Sequence, residues 1–149
     1  MTPYRVILAD KHAPLREGLR RILGEQPDLE ITAEAGEGFD LLNHLRRSAE
    51  GPLMVILDSR LPNLQGAEAV WKIKAIRPGT KVLILSMQED VEYLGQALAT
   101  GAEGYLMKES ASKDLLRAVE TIRQGDIYVP EVLAGLTPGW SSPNPFKGR

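Results

Sequence analysis

Four short apolar runs in this chain each end in a polar residue, and together they predict a buried parallel sheet. They are residues 6–9 before Asp10 and Lys11, 53–57 before Asp58, 82–85 before Ser86, and 104–107 before Lys108. Short continuous apolar runs are typical of strands that are buried on both faces. In an open sheet of parallel strands, ligands bind beyond the carboxyl ends of the strands. The pattern therefore predicts that two carboxylates, a hydroxyl and two ammonium groups meet at one edge of the sheet.

Apolar residues at helical spacing separate these runs and predict five strand–helix units. A fifth strand is indicated by Leu29, Ile31 and Ala33, which alternate with polar residues. The succession of strand and helix along the chain predicts an α/β fold. Its parallel sheet is covered by helices on both faces through right-handed crossovers. The inward positions of the predicted helices are Leu15, Leu19, Ile22 and Leu23, then Leu41, Leu42 and Leu45, then Ala69, Val70, Ile73 and Ile76, then Val91, Leu94 and Leu98, and finally Leu115, Ala118, Val119 and Ile122.

Composition narrows the function classes only mildly. A chain of 149 residues is long enough for one domain with a full core. Its formal net charge of −2 gives no indication of a nucleic-acid surface. The absence of cysteine excludes disulfides and thiolate chemistry, and it fits a cytoplasmic location. No apolar stretch approaches the length of a membrane span, so we expect no membrane partner.

The last part of the chain differs from the rest. We expect one domain over residues 1–125 and a linker or tail over 126–149. Residues 127–129 form a short apolar run that predicts an extended segment. Beyond residue 137 the chain is rich in proline, glycine and serine without periodicity, so we expect this tail to be partly disordered.

The loop after the central strand carries a resemblance to a known family. Residues 58–66, with the sequence DSRLPNLQG, resemble the phosphoacceptor loop of response-regulator receiver domains. The loop at Asp10 is similar to their acidic first loop, while Ser86, Tyr105 and Lys108 are similar to their switch hydroxyl, switch aromatic and lysine. The spacing agrees over residues 4–124. Residues 16–19 and 34–36 look most like the NarL/FixJ (LuxR-type) branch. The resemblance implies a CheY-like or flavodoxin-like (βα)5 doubly wound sheet with strand order 2-1-3-4-5.

The chemistry of phosphoryl transfer fits these residues. A carboxylate that attacks an anionic phosphoryl donor needs nearby cations and a fixed in-line geometry, and Asp58 is the candidate nucleophile. The resemblance implies a histidine kinase as the donor. It also implies Mg²⁺ held by Asp10, Asp58 and the backbone carbonyl of Arg60, with Lys108 pairing first with the aspartate and then with a phosphoryl oxygen. We expect no enzyme activity beyond self-catalysed phosphotransfer and autodephosphorylation.

The same resemblance implies a conformational switch. Ser86 would bind a phosphoryl oxygen and draw its loop inward, and Tyr105 would fill the space that is vacated. Arg60 and Gln88, two positions after Asp58 and Ser86, would flank the phosphoryl group. Each residue also has a plainer interpretation. Asp58 and Ser86 fit turn or helix caps, Lys108 alone fits a solvated lysine, Tyr105 fits edge packing, Arg60 and Gln88 fit solvent-exposed positions, and His12 and His44 fit surface or loop positions.

Lys11 departs from the family pattern. The family normally has a second acidic residue there, which contacts the metal. A like charge at about 4 Å costs about 4 kcal/mol at an effective dielectric near 20, before the side chain relaxes. We therefore expect weakened Mg²⁺ binding and impaired phosphorylation. We also expect the Lys11 ammonium to lie beside the carboxylates of Asp10 and Asp58 and to replace the cation in part.

The C-terminus departs as well. In the LuxR-type branch, a Leu-Thr-Pro sequence followed by Arg-Glu opens a DNA-binding helix-turn-helix domain. Here residues 136–138 are followed by Gly139 and Trp140, and the chain ends at Arg149. We expect no direct, specific DNA binding by this chain, and a possible partner is a second copy bound through a helical face.

Three function classes follow from the sequence. The first is a working phosphoacceptor in two-component signalling. The second is a pseudo-receiver, a protein-binding module that acts without phosphorylation. The third is a flavodoxin-like cofactor binder. A flavin phosphate needs a loop rich in hydroxyls and glycine after the first strand, whereas residues 10–14 supply acid and proline there, which disfavours the third class.

Overall fold

The structure is a computed structural model that describes residues 3–87 and 91–130. Its parallel sheet has the strand order β2-β1-β3-β4-β5, which confirms the predicted order. The strands are β1 (Tyr4–Ala9), β2 (Leu29–Ala35), β3 (Leu53–Asp58), β4 (Lys81–Ser86) and β5 (Gly104–Met107). The helices are α1 (Ala13–Leu23), α2 (Gly38–Arg47), α3 (Gly66–Ile76), α4 (Val91–Thr100) and α5 (Ala111–Arg123), with a 3₁₀ turn at Lys108–Ser110.

Alternation along the strands divides the core into two layers, one on each face of the sheet. On β1, Ile7 packs in the layer formed with α2, α3 and α4, whereas Val6 and Leu8 pack in the layer formed with α1 and α5. All six residues of β3 are buried, as expected for a central strand covered on both sides. Among the described residues, no helix combines the length and the apolar character needed to span a bilayer.

The register of the strands gathers their carboxyl ends at one edge. Ala9 pairs with Leu57, and Asp58 pairs with Leu85. Ser86 pairs with Met107, the residue before Lys108. The polar residues that end the apolar runs therefore lie along one edge of the sheet.

The pairing of β1 with β2 contains an irregularity at Thr32. Val6 pairs with Ile31 and Ile7 pairs with Ala33, so Thr32 is an extra residue in β2. Such bulges are rare in parallel pairs, and they redirect the side chain of the extra residue.

Residues 126–130 continue past α5 and cover the free edge of β5. The Tyr105 N–H donates to the Tyr128 carbonyl at 3.0 Å, and the Tyr128 N–H donates to the Glu103 carbonyl at 3.0 Å. Tyr128 also forms an isolated parallel bridge with Gly104. The extended segment predicted at residues 127–129 is thus attached to the sheet. The predicted tail beyond residue 130 lies outside the described residues.

Candidate functional site

Three buried charged side chains meet at the carboxyl edge of the sheet. Asp10 is 1%, Asp58 3% and the Lys108 side chain 7% exposed. Lys108 Nζ lies 2.7 Å from Asp10 Oδ2 and 3.2 Å from Asp58 Oδ1. One ammonium therefore faces two carboxylates. Because buried charge is costly unless it is balanced, this cluster favours the arrival of a further cation.

The four carboxylate oxygens of Asp10 and Asp58 differ in the hydrogen bonds that they accept. Asp58 Oδ1 accepts the Arg60 backbone N–H at 3.0 Å, and Asp10 Oδ1 accepts the His12 backbone N–H at 2.8 Å. Asp10 Oδ2 and Asp58 Oδ2 are both buried without a hydrogen-bond donor in the described part of the chain. Asp10 Oδ2 nevertheless forms an ion pair with the close Lys108 ammonium, because ion-pair attraction depends on distance more than on alignment. Asp58 Oδ2 has neither kind of partner among the described residues.

These donors fit a small divalent cation with few protein ligands. Mg²⁺ is usually held by one or two carboxylates, and waters and substrate oxygens complete its octahedron. The two buried oxygens without donors supply such carboxylates, and the loop after Asp58 supplies backbone carbonyls. Within residues 3–87 and 91–130, no group of three or more His, Asp or Glu side chains forms a richer metal site.

Lys11 does not lie where we expected. Its side chain is exposed, and among the described residues no ion pair joins it to Asp10 or Asp58. The predicted pairing of Lys11 with these carboxylates is wrong, because Lys108 holds that position. Asp10 directs its carboxylate to Lys108, whereas Lys11 lies beyond the end of β1 with its side chain exposed.

The residues proposed for a switch lie on β4 and β5. Ser86 is the last residue of β4 and is buried. Tyr105 is fully buried on β5, and its ring centroid lies 6.1 Å from that of Tyr93 on α4. Gln88 lies outside the described residues, whereas the side chain of Arg60 is exposed. His12 is an exposed residue that precedes α1, with Nδ1 3.3 Å from Asp10 Oδ1.

Sequence reasoning did not assign a role to Arg16, which supports the first loop. Its guanidinium donates to the Asp10 backbone carbonyl and, at 3.1 Å, to Glu34 Oε1. Arg20, one turn later on α1, lies 3.2 Å from Glu34 Oε2. The spacing of the two arginines on one helix face was the available signal. This network holds the backbone of Asp10 against α1 and the end of β2.

A second network ties the loop after Asp58 to the start of α2. Glu37 accepts hydrogen bonds from the backbone N–H groups of Phe39 and Asp40 and, at 3.0 Å, from Asn63 Nδ2. The bond from Asn63, followed by those from the backbone, lowers the pKa of Glu37. The Gly38 N–H donates to the Pro62 carbonyl at 2.7 Å.

This contact leaves no room for a side chain at Gly38. A Cβ atom there would lie 2.3 Å from Leu64 Cβ and 3.0 Å from the Asn63 carbonyl carbon. Asn63 itself has a φ of 66°, a left-handed conformation that asparagine tolerates better than most residues. The loop is therefore shaped by a close approach between two segments that are distant in the sequence.

Comparison with known proteins decides the family. A family model described as response regulator receiver domain matches residues 6–120. The chain belongs to the response-regulator receiver family. This receiver is 40% identical over 126 residues to the oxygen regulatory protein NreC of Staphylococcus epidermidis, covering 84% of this chain and 57% of that protein. It is 33% identical over 133 residues to the transcriptional regulatory protein DegU of Brevibacillus brevis, covering 89% and 56%. The receiver thus spans little more than half the length of these relatives.

Solved structures agree with this assignment. The receiver domain of RcsB from Salmonella enterica serovar Typhimurium, determined with the phosphomimetic BeF₃⁻, has a TM-score of 0.83 at 24% identity, covering 91% of this chain and 99% of that one. A LuxR-family response regulator from an Aurantimonas species has a TM-score of 0.82 at 28% identity, covering 90% and 94%. The receiver therefore has the CheY-like fold and belongs to the NarL/LuxR branch.

Proposed function

We propose that this receiver accepts a phosphoryl group on Asp58 from a histidine kinase in a two-component system. The observation that carries the proposal is the asymmetry of the Asp58 carboxylate. Oδ1 is held by the Arg60 N–H and by Lys108, whereas Oδ2 is buried without a partner among the described residues. An oxygen that is oriented but not hydrogen-bonded keeps its lone pairs available for attack on phosphorus.

The neighbouring charges suit the product as well as the reactant. When Oδ2 bonds to phosphorus and the kinase imidazole leaves, negative charge on the phosphoryl oxygens remains in the cleft. Lys108 lies within reach of that charge, since it already contacts the Asp58 carboxylate. Asp10, Asp58 and the Arg60 carbonyl would hold Mg²⁺, which supplies further charge neutralisation when bound.

Ser86 and Tyr105 are the proposed switch. Ser86 ends β4 one residue after Leu85, which pairs with Asp58, and its hydroxyl would donate a hydrogen bond to a phosphoryl oxygen on Asp58. Tyr105 is buried in the state described here, packed against Tyr93 of α4. Any movement of α4 after phosphorylation would therefore change the packing of the Tyr105 ring. We also propose that Gln88 influences the rate of hydrolysis of the phosphoryl group.

The test of the phosphoacceptor uses Asp58→Asn. Treatment of the wild-type chain with a cognate kinase or acetyl phosphate, in the presence of Mg²⁺, should add one phosphate by intact mass. The Asp58→Asn variant should add none, because an amide oxygen is a much poorer nucleophile than a carboxylate oxygen. Ser59→Ala is the matched control at the next position and should still be modified. Phosphate on Asp58→Asn would show that another residue is the acceptor.

Lys11 would impair this reaction by removing a ligand rather than by filling the site. Its side chain is exposed, and its ammonium would also add positive charge on the loop that carries Asp10. We expect Lys11→Asp to bind Mg²⁺ about tenfold more tightly and to phosphorylate faster, since it adds a carboxylate and reverses a charge. Lys113→Asp, the same charge change at an exposed position of α5, should leave both quantities unchanged. Equal Mg²⁺ affinity in wild type and Lys11→Asp would refute this role.

The alternative is a pseudo-receiver that binds partners without phosphorylation, and the replacement of an acid by Lys11 favours it. Failure of the wild type to bind Mg²⁺ or accept phosphate, with both restored in Lys11→Asp, would support that alternative. In either case we propose that the chain dimerises through a helical face and does not bind DNA specifically by itself. A structure of the related RcsB contains dimers on DNA.

A further inference from the structure

A cavity of about 270 Å³ lies between β2 and the end of α2, away from Asp58. Arg5 lies near the start of β1, whereas Asp10 follows its end, so roughly 17 Å of strand separates the two regions. The side chains that matter here are Arg5, Arg47, His44 and the hydroxyls of Thr32 and Ser48.

Two arginines of this cavity lack acidic partners. Neither Arg5 nor Arg47 forms an ion pair with a carboxylate among the described residues, although most other arginines of the helices do. Arg5 uses one N–H to reach the Glu50 carbonyl. Of the acids near the lining, Asp40 lies 3.6 Å from His44 Nε2, and Glu30 pairs in register with Arg5 without an ion pair between their side chains. Arg5 and Arg47 therefore line the same cavity, and neither has an ion-pair partner among the described residues.

Apart from the bond from Arg5 to the Glu50 carbonyl, backbone carbonyls do not account for these charges. The helix dipole favours cations at the end of α2, which explains basic residues in its last turn. However, the Ser48 backbone N–H already donates to the Leu45 carbonyl, and its hydroxyl donates to the His44 carbonyl. In the adjoining loop, Arg77 donates to the carbonyls of residues 48, 49 and 51. The dipole also leaves Arg5 unexplained, because that residue belongs to a strand.

The bulge of β2 is an independent feature of the same cavity. Thr32 is the extra residue at the break in the β1–β2 register, and it lines the cavity. A bulge in a parallel pair gives up regular pairing, and bulges are over-represented beside functional sites because they redirect a side chain. Here the redirected group is a hydroxyl, which can donate to an anion.

We propose that this cavity binds a small phosphate-bearing molecule. Guanidinium groups bind phosphate oxygens through paired, charge-assisted hydrogen bonds, and hydroxyls and an imidazole complete such a site. The volume exceeds that of a single phosphate ion and approaches the lower end of small-molecule pockets, which indicates a diphosphate or a phosphate ester. The site is separate from phosphoryl transfer at Asp58.

Pyrophosphate in metal-free buffer is the probe, followed through the backbone amides of the full chain by NMR. Without Mg²⁺ the two carboxylates beside Lys108 repel the probe from the Asp58 cleft. We expect saturable shifts at residues 32–33 and 44–49. Arg47→Gln and Arg5→Gln should each weaken binding about tenfold or more, because each removes a charge-assisted contact. Arg46→Gln is the matched control on the same helix, and Asp58→Asn is the control for the other site. Both should bind as the wild type does.

Arg47 is exposed, so Arg47→Gln should keep the wild-type amide spectrum in the absence of probe. The proposal is overturned if the shifts do not saturate, if they centre on residues 58 and 108, or if Arg46→Gln weakens binding as much as Arg47→Gln. Citrate binding as tight as that of pyrophosphate would overturn the assignment to phosphate.

Discussion

Glu37 shows how a single exposed carboxylate can organise a loop. It accepts two backbone N–H groups at the start of α2 and the Asn63 side chain, 26 positions away. These bonds favour its charged form and lower its pKa, with the Asn63 bond as the largest cause. One side chain therefore caps a helix and positions the loop that follows Asp58.

This residue predicts a pH dependence of stability. Because the folded-state pKa of Glu37 lies below its ordinary value of 4.5, its contribution is complete above that value and is lost as pH falls through the lowered pKa. Urea unfolding of wild type and Glu37→Gln should show a stability difference near neutral pH that shrinks in acid. Glu25→Gln is the matched control, the same substitution at an exposed position. A constant wild-type advantage down to strongly acid pH would contradict the prediction.

Alternation of side chains explains which site residues the sequence could predict. The strand-end pattern pointed to Asp10, Asp58 and Lys108, and the structure brings these three together. Lys11 lies past the end of β1 and is exposed, and no pattern in the sequence sets the direction of a side chain in that loop. The bonds from Glu37 to Asn63 could not be predicted, because no local pattern indicates which distant loop approaches a helix start.

At the level of elements, the junction between α2 and the β3–α3 loop depends on a missing side chain. The Gly38 backbone donates to Pro62, and its α-carbon lies against Leu64. The sequence predicted the helix here from Leu41, Leu42 and Leu45, and α2 begins at Gly38. It did not predict the close approach, because a glycine before a helix is equally typical of a simple turn.

Gly38→Ala should therefore displace the loop that follows Asp58. The added Cβ would lie 2.3 Å from Leu64 Cβ, so backbone must shift, and we expect a loss of about 1–3 kcal/mol in the free energy of unfolding. Phosphorylation should slow as well, since the Arg60 N–H that holds Asp58 lies on that loop. Gly18→Ala is the control. It has open space in α1 and should stabilise by about 0.5–1 kcal/mol. Wild-type stability in Gly38→Ala would disprove the close packing.

For the whole molecule, the strand order and both core layers follow from periodicity, whereas the domain boundary expected at residue 125 stays a prediction. The boundary expected at residue 125 follows from the end of the fifth helical pattern, whereas the composition changes only beyond residue 137. The structure attaches residues 126–130 to β5 by hydrogen bonds on both sides of Tyr128. A single short strand at a sheet edge carries too little pattern to be assigned to the domain from the sequence alone.

Truncation tests the extent of the folded unit. A chain ending at Pro130 should retain wild-type stability, whereas one ending at Gly125 should lose about 2 kcal/mol, because it no longer buries Tyr128. The shorter chain should also self-associate more, since the edge of β5 is then unpaired. Urea midpoints and light scattering measure the two effects. Equal midpoints for the two chains would place the boundary at residue 125 after all.

The burial of Asp58 Oδ2 also governs how long a signal would persist. In the proposed reaction, the bond that forms at this oxygen is later broken by water, which must reach the phosphorus beside a buried carboxylate. Restricted access would delay loading by the kinase and would also delay spontaneous hydrolysis. The duration of the signal and the delay before it begins would then be coupled. A substitution that exposes Asp58 Oδ2 would give faster phosphorylation and a shorter lifetime of the phosphorylated state.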